Sequence, residues 1–522
     1  MTPCTDTTDV LLAGTAIILQ QPVPTVNRSV FDLYFDGGDR VGASFPIAMT
    51  RAAFPVVPGS RMAGAVEVLS QDAWGIHYEA PVGTDVAYVT SAFQYVDLFV
   101  MSSRNGNLVT YQTGANPATY TTVTLDMGDS IAISVKQSWT VVGTKPLQVD
   151  LITGDIGSTY ELRWFSLLPT NAWAQNYLTP VGDSKGKTKV VVYNPGNATI
   201  LVSYDYLLSN GMTTTATFSV AAKKDAMTNV IPTGSAAQIY SDNVFFAFSF
   251  TDTAKFDGSG QRTFGQAYDW GFPLQPYDLL SPQVLIGLGY GCTYDHCNST
   301  TRHIMSVVWV SPTQNADIYV DFDNNGVVDK HFPLDRLHSH ILRNTNDTDM
   351  SGAFIFATAR DSGPSGTPVN LAAAWGQDPE LVSLSVDDQD RSLDLGTVVL
   401  PLPTIRISKS VSLLEDTNGG MIRPSDVVRY TIRVTNVGLL NIPPGQVLIV
   451  DNGLDSQLTY IPNSTYYNTE GGFHQMVVDD ITGATAFSLD EGGITNLATL
   501  SKRGGQHEIV FDAQVKPRSE LV

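Results

Sequence analysis

The sequence predicts an all-β protein made of several β-sandwich modules in series, the last of them immunoglobulin-like. Three observations carry this expectation. Helical periodicity is nearly absent, while short alternating stretches of β-branched and aromatic residues recur, among them 189–193 (KVVVY), 200–206 (ILVSYDY) and 244–250 (VFFAFSF). Turn residues punctuate these stretches, with Gly (44) and Pro (28) both plentiful. An internal repeat also recurs at roughly 90–120 residues, the size of one sandwich.

The repeat is legible in two segments. Residues 73–83 (AWGIHYEAPVG) and 172–182 (AWAQNYLTPVG) share Ala-Trp, Tyr and Pro-Val-Gly in register. A hairpin-like segment follows each: 192–204 (VYNPGNATILVSY) aligns without gaps on 310–322 (VSPTQNADIYVDF), and 100–111 (VMSSRNGNLVTY) fits with one deletion. Residues 145–149 (KPLQV) correspond to 368–372 (PVNLA) near the module ends. The modules are therefore expected at 31–155, 156–290 and 291–400, after an N-terminal strand segment at 1–30. Residues 400–404 (LPLPT) read as a linker. Beyond it, 429–436 (RYTIRVTN), 447–450, 458–461 and 509–515 supply the strands of one immunoglobulin-like sandwich at 405–522.

Composition narrows the function. A chain of 522 residues is too long for one core. Charged residues are only 16%, and 30 basic against 51 acidic residues give a net charge of −21. Such a surface repels phosphate backbones, so nucleic acid is excluded as a partner, and an extracellular protein able to bind cations is expected. The apolar run 10–19 (VLLAGTAIIL) is too short to cross a bilayer and lacks a basic flank before Arg28. It reads as a strand that can be donated to a neighbour's sheet, and no transmembrane segment is expected.

Residues 31–400 resemble the β-rich domain named after the N-terminal region of the IgG Fc-binding protein, in the form carried by large bacterial surface proteins. The resemblance rests on 35–40 (FDGGDR), 65–68 (AVEV), 73–83, 151–157 (LITGDIG), 160–164 (YELRW), 269–272 (DWGF) and 374–379 (AWGQDP). Residues 405–520 resemble the immunoglobulin-like module found in tandem on bacterial and archaeal surface proteins, through 430–438 (YTIRVTNVG) and 458–460. The resemblance implies a secreted or wall-anchored β protein without catalysis. Immunoglobulin binding does not transfer, because the cysteine density of the mammalian protein is missing, and no ligand site is carried over.

The leading candidate site is 321–329 (DFDNNGVVD). Asp321, Asp323 and Asn325 alternate, Gly326 permits a sharp turn, Val327 offers a carbonyl, and Asp329 follows, as in the first nine positions of a calcium loop. The twelfth position is Phe332, so this is no EF-hand. The same residues also read as a hairpin turned by Asn325-Gly326. Cys292 and Cys297 suit a small disulfide ring, with half a zinc site beside His296 and His303 as the other reading; Cys4 is left over. His338 and His340 share a strand face near His331 and Asp335 and read as structural. Sequons at Asn27, Asn197, Asn298, Asn346 and Asn463 are candidate glycosylation sites, if the chain meets a glycosylating route. Lys409 and Asp512, in the first and last strands of the tail, are placed for an amide staple, although no buried acid to move its protons is identifiable.

No nucleophile elbow, zinc-protease, P-loop or dinucleotide motif occurs, so no catalysis is expected. The expected function is a structural subunit of a surface filament, appendage or coat. It would self-associate into a homopolymer through strand edges or terminal segments. The alternative is an adhesin binding glycans or a host surface through sandwich loops.

Overall fold

The computed structural model describes residues 11–16, 40–43, 46–53, 64–86, 93–154, 162–182, 186–256, 262–264, 270–289, 306–345, 349–377 and 396–402, and, with breaks of one to three residues, 404–476 and 493–517. These residues form strands and three short 3-10 turns, with no α-helix among them. They fall into two compact units, Met1–Gly42 with Ile47–Pro401, and Ala43–Pro46 with Leu402–Val522. The all-β expectation and its several sandwiches are what the molecule shows.

The larger unit opens with a hairpin, β1 (Thr50–Ala53) and β2 (Gly64–Glu67). The first sandwich follows as β3 (Gly75–Glu79), β4 (Tyr95–Ser102), β5 (Asn107–Ala115), β6 (Ala118–Leu125), β7 (Ser130–Ser134), β8 (Thr140–Gly154) and β9 (Leu162–Ser166). The 15-residue β8 serves both of its sheets. Its first half pairs with β3 and β5, as Val141 lies opposite Tyr78 and Tyr111; its second half pairs with β4 and β9, as Leu151 lies opposite Leu98 and Phe165.

The second sandwich repeats this plan with β10 (Ala174–Thr179), β11 (Gly186–Tyr193), β12 (Ile200–Leu207), β13 (Thr213–Val220), β14 (Asp225–Met227), β15 (Ala237–Phe256), β16 (Arg262–Phe264) and β17 (Trp270–Pro273). Here β15 is the shared strand: Ile239 lies opposite Tyr177 and Tyr204, and Phe248 opposite Val191 and Pro273. The third comprises β18 (Gln283–Leu285), β19 (Ser306–Pro312), β20 (Ala316–Asp321), β21 (Lys330–Leu334), β22 (His340–Leu342), β23 (Phe354–Ala359), β24 (Leu371–Gln377) and β25 (Gly396–Val399). Its long strand is cut in two, giving the sheets β18-β23-β20-β21 and β22-β19-β24-β25.

The repeated motif has one physical job. Trp74 Nε1 donates to the Leu69 carbonyl at 3.1 Å, and Trp173 Nε1 to the Leu168 carbonyl at 3.0 Å. The Tyr78 hydroxyl donates to the Leu147 carbonyl at 2.6 Å, and the Tyr177 hydroxyl to the Phe245 carbonyl at 2.8 Å. Each tyrosine thereby ties its strand to the point where the long strand passes between sheets. Gly83 and Gly182 close the motif where a Cβ would lie 2.2 Å from the Gln137 nitrogen and 1.9 Å from the Ser235 oxygen. Gly289 holds the same place in the third copy, 2.1 Å from the Met350 carbonyl carbon. Sequence comparison missed this third copy because only the glycine survives there.

The sandwiches are not separate beads. On β11, Val191 and Tyr193 enter the core of the first sandwich, while Val190 and Val192 enter that of the second. Along β15, Phe246, Phe248 and Phe250 face the first core, and Phe245 and Ala247 the second. Phe165 of the first sandwich meets Phe248 and Phe250 at ring separations of 5.7 and 5.5 Å. One step on, Val307 and Trp309 of β19 fill the second core, and Val308 and Val310 the third. Sheets buried on both faces thus join the repeats, which is why 244–250 is apolar at nearly every position. The expected boundaries near 155 and 290 lie on or beside residues outside those described.

Two N-terminal pieces are fitted onto this stack. All of β2 is buried; the Glu67 N–H donates to Thr397 Oγ1 at 3.3 Å, and the Ser166 hydroxyl donates to the Glu67 carbonyl at 3.0 Å. The described part of the apolar run expected as a strand, 11–16, is instead a turn, closed by Thr15 N–H on the Leu12 carbonyl at 3.1 Å.

The smaller unit contains β26 (Ile405–Glu415), β27 (Val427–Asn436), β28 (Leu448–Ile449), β29 (Leu458–Tyr460), β30 (Tyr466–Thr469), β31 (His474–Met476), β32 (Ile494–Thr495) and β33 (Gln506–Val515). The main sheet runs β26-β27-β33-β30-β31, with β29 also on β33, and β28 pairs with β32. Ile432, Val434, Ile449, Tyr467, Ile494, Ile509 and Phe511 make the core. The proposed staple does not form as expected: Asp512 receives Arg429 Nε and a terminal nitrogen at 2.8 and 2.9 Å, while Lys409 Nζ lies 2.6 Å from Asp451.

Because one sheet closes two cores, loss of Phe248 is expected to damage both. Phe248→Ala should cost about 3–5 kcal/mol and accelerate hydrogen exchange in β4 and β12 alike. Faster exchange confined to β4 and its sheet would mean that the cores are independent.

Buried acids set the pH response. Glu67, accepting the Thr50 hydroxyl, is pushed by burial from 4.5 to about 7 against the opposing effect of that hydrogen bond. Burial also lifts Asp150 to about 6, opposed by its bonds from Ser166 and Trp164 and by Arg51. A raised carboxyl contributes stability that is full below its unfolded value and is lost as pH rises through its folded value. Unfolding midpoints are therefore expected to fall as pH goes from about 4.5 to 7, and Glu67→Gln to flatten that slope. Urea titrations at several pH values test this, and midpoints that rise across the window would refute it.

Candidate metal centre

The expected calcium loop lies between β20 and β21. The ladder of these strands ends with Val320 opposite Lys330, and the Asp329 N–H closes it on the Val320 carbonyl at 2.8 Å. A hairpin turned tightly by Asn325-Gly326 would carry pairing on toward that dipeptide. Residues 322–329 instead fold back toward the end of β20.

The reason is Asp321. Its side chain is nearly enclosed, with the residue 3% exposed. Its two carboxylate oxygens accept the Asn325 N–H at 3.1 Å and the Gly326 N–H at 2.8 Å. To present both donors the chain takes left-handed backbone at Asn324 (φ 49°) and Gly326 (φ 92°); a side chain at 326 would be strained, although the space around it is open. Asp329 Oδ2 accepts the Phe322 N–H at 2.7 Å. Asp323 Oδ2 accepts Asn325 Nδ2 at 2.9 Å, and Asn325 Oδ1 accepts the Val327 N–H at 2.7 Å. The Val327 side chain is exposed, so Val327 takes part through its main chain.

Carboxylate oxygens of Asp321, Asp323 and Asp329 lie within 4.8 Å of one another. Two oxygens on opposite sides of a calcium ion are separated by about 4.6–5.2 Å, so this spacing fits one cation among three carboxylates. Burial raises the Asp321 pKa, opposed by the Gly326 and Asn325 N–H groups and reinforced by Asp323. A divalent cation would reverse that penalty by neutralising the crowded acids.

A neighbour of the loop was not legible in sequence. The turn at 11–16 rests against it: a Cβ on Gly14 would lie 1.6 Å from the Asp323 carbonyl oxygen, and one on Gly352 would lie 2.4 Å from the Gly14 oxygen. Segments more than 300 residues apart in sequence meet there, and no local pattern announces such a meeting.

The remaining candidates separate. Cys4, Cys292, Cys297, Asn27, Asn298 and Asn346 lie outside the described residues. Asn197 and Asn463 sit exposed in irregular segments, Asn463 with φ 61°. His338 bridges to Ser235, and His340 packs on Phe332 at a ring separation of 4.2 Å. Burial lowers the His340 pKa, helped by Lys330 and Arg343. Neither histidine belongs to the acid cluster.

No family model matches the chain, and no curated protein matches it. Among solved structures, a tetra-tandem repeat in the extending region of a large adhesion protein aligns over 84% of this chain and 90% of that one, at 11% identity and a TM-score of 0.10. So low a score carries no argument about fold or function. Among the described residues, no helix is long and apolar enough to cross a membrane.

Filling the loop should stabilise the unit that holds it. At calcium one hundred times its dissociation constant, the gain is expected to be about 2.7 kcal/mol, lost in Asp323→Asn/Asp329→Asn. Thermal unfolding with calcium or chelator reads this out, and identical curves for the native chain in both would remove calcium from the site.

Proposed function

We propose that this chain is a non-catalytic extracellular structural protein, a subunit of a surface filament, appendage or coat that assembles through strand edges or terminal segments. The observation that supports this most is the joining of three repeated sandwiches by sheets buried on both faces. Independent modules can hinge at their linkers. Modules that share a sheet cannot separate without opening two cores, which suits a part that carries load. Low charge and a net charge of −21 support the extracellular setting. The acid loop would serve this role as a calcium staple, tying β20, β21 and the turn at 11–16 together.

The adhesin reading draws less support. Sugar-binding surfaces usually present exposed aromatic rings, but Trp164, Trp173, Trp270, Trp309 and Trp375 are buried, and Trp74 and Trp139 pack partly buried against the first core. No described tryptophan is exposed for stacking on a sugar, although Tyr120 is.

Electron microscopy of the native protein with and without a calcium chelator tests the proposal. Ordered polymers are expected, loosened by the chelator. Single, well-dispersed particles at every concentration would overturn the structural reading and leave the adhesin.

A further inference from the structure

Strand β26 borders its sheet. It pairs with β27 from Ile405, opposite Asn436, to Glu415, opposite Val427, and no described strand lies on its other side. Its sequence, IRISKSVSLLE, alternates apolar and polar up to Leu413, with Lys409 alone breaking the apolar stripe. The register puts Ile407, Lys409, Val411 and Leu413 on the face of Val434, Ile432, Tyr430 and Val428, which is the core face. Val434 and Ile432 are buried, yet Ile407 is 57% exposed and Val411 47%. The core is covered above β27 and open above β26. Lys409 stands at that border, its Nζ 2.6 Å from Asp451 and 4.8 Å from the centre of the Tyr430 ring.

An uncovered strand of eleven residues presents a row of main-chain donors and acceptors to another strand. Its charges select the partner. Arg406 and Glu415 stand at opposite ends, and the bulge between Leu413 and Glu415 returns Glu415 to the outward face that Arg406 occupies. An antiparallel second β26 brings each Arg406 beside the other copy's Glu415, whereas a parallel one sets like charges together. Pairing centred on Ser410 places Ile407 opposite Leu413 and Lys409 opposite Val411, so the apolar stripes run on and the lysines do not meet. The small side chains of Ser408, Ser410 and Ser412 leave the outward face unobstructed.

We propose that β26 is a self-pairing edge, joining two copies of the chain as antiparallel β26–β26 centred on Ser410. This rests on the assembly reading and specifies one of its contacts. A two-fold contact of this kind closes on itself and yields a dimer, so polymer growth requires a second, different contact.

The test uses the full-length chain. Directly opposed positions bring Cβ atoms to about 4.5–5.5 Å, so Ser410→Cys should give an oxidised dimer linked through residue 410, identified by mass spectrometry against the native chain with its own cysteines. Arg406→Glu should weaken the dimer about tenfold in sedimentation equilibrium, and Arg406→Glu/Glu415→Arg should restore it. Failure to cross-link at concentrations where dimers exist, or indifference to the charge changes, would overturn this inference while leaving assembly in place. A chain that is monomeric at all concentrations would overturn both.

Discussion

Strands β11 and β15 must satisfy two hydrophobic cores at once, and the larger unit depends on that constraint. Successive side chains of a strand point to opposite faces, so a sheet that closes two cores needs apolar residues at every position. Val190 through Tyr193 and Phe245 through Phe248 meet this demand, and each is essentially fully buried. The polar groups of these strands are then met by main-chain pairing on both sides and by few side chains. The Tyr193 hydroxyl, donated to Glu79 of the first sandwich, is one such exception, with Lys223 Nζ adding a second partner for Glu79 at 3.0 Å.

The same economy explains where acids are tolerated. Glu67 and Asp150 are enclosed at the junction of β2, β8 and β9, where the Ser166 hydroxyl can donate to the Glu67 main-chain carbonyl or to the Asp150 carboxylate. Burial there favours the protonated form, so these acids hold the structure best in mildly acidic solution. In the loop after β20, Asp321 is just as enclosed but Asp323 and Asp329 are exposed, and the three converge where a cation rather than a proton can balance the charge. One device keeps a carboxyl neutral by enclosure; the other gathers carboxylates at a rim.

The smaller unit solves its edge problem differently. Interior strands of the larger unit are flanked by neighbours on both sides, whereas β26 has a described neighbour only in β27 and is exposed along most of its length. An inward-facing charge and a bulge are the usual defences of such an edge, and β26 has both, in Lys409 and at Leu413–Glu415. Lys409, however, is already engaged by Asp451 and the Tyr430 ring, so it blocks approach less than a free lysine would.

The secondary structure class, the repeated Ala-Trp and Pro-Val-Gly segments, the tail strands β27, β28, β29 and β33, and the acids of the loop were legible in the sequence, whereas β30, β31 and β32 were not. Each legible feature rests on local chemistry: alternation, turn residues, and ligand types at fixed spacing. Tertiary structure decided the rest. Whether 244–250 lined one core or two depended on what lay across each face, and that came from residues as far away as Phe93 and Phe165. Asn325-Gly326 carries a hairpin signal, but the buried Asp321 carboxylate captured both N–H groups and drew the chain back. The run at 10–19 has the composition of a strand, and its described part became a turn against Asp323 because a strand needs a partner edge. Composition can offer apolar surface, but only the folded chain settles what covers it.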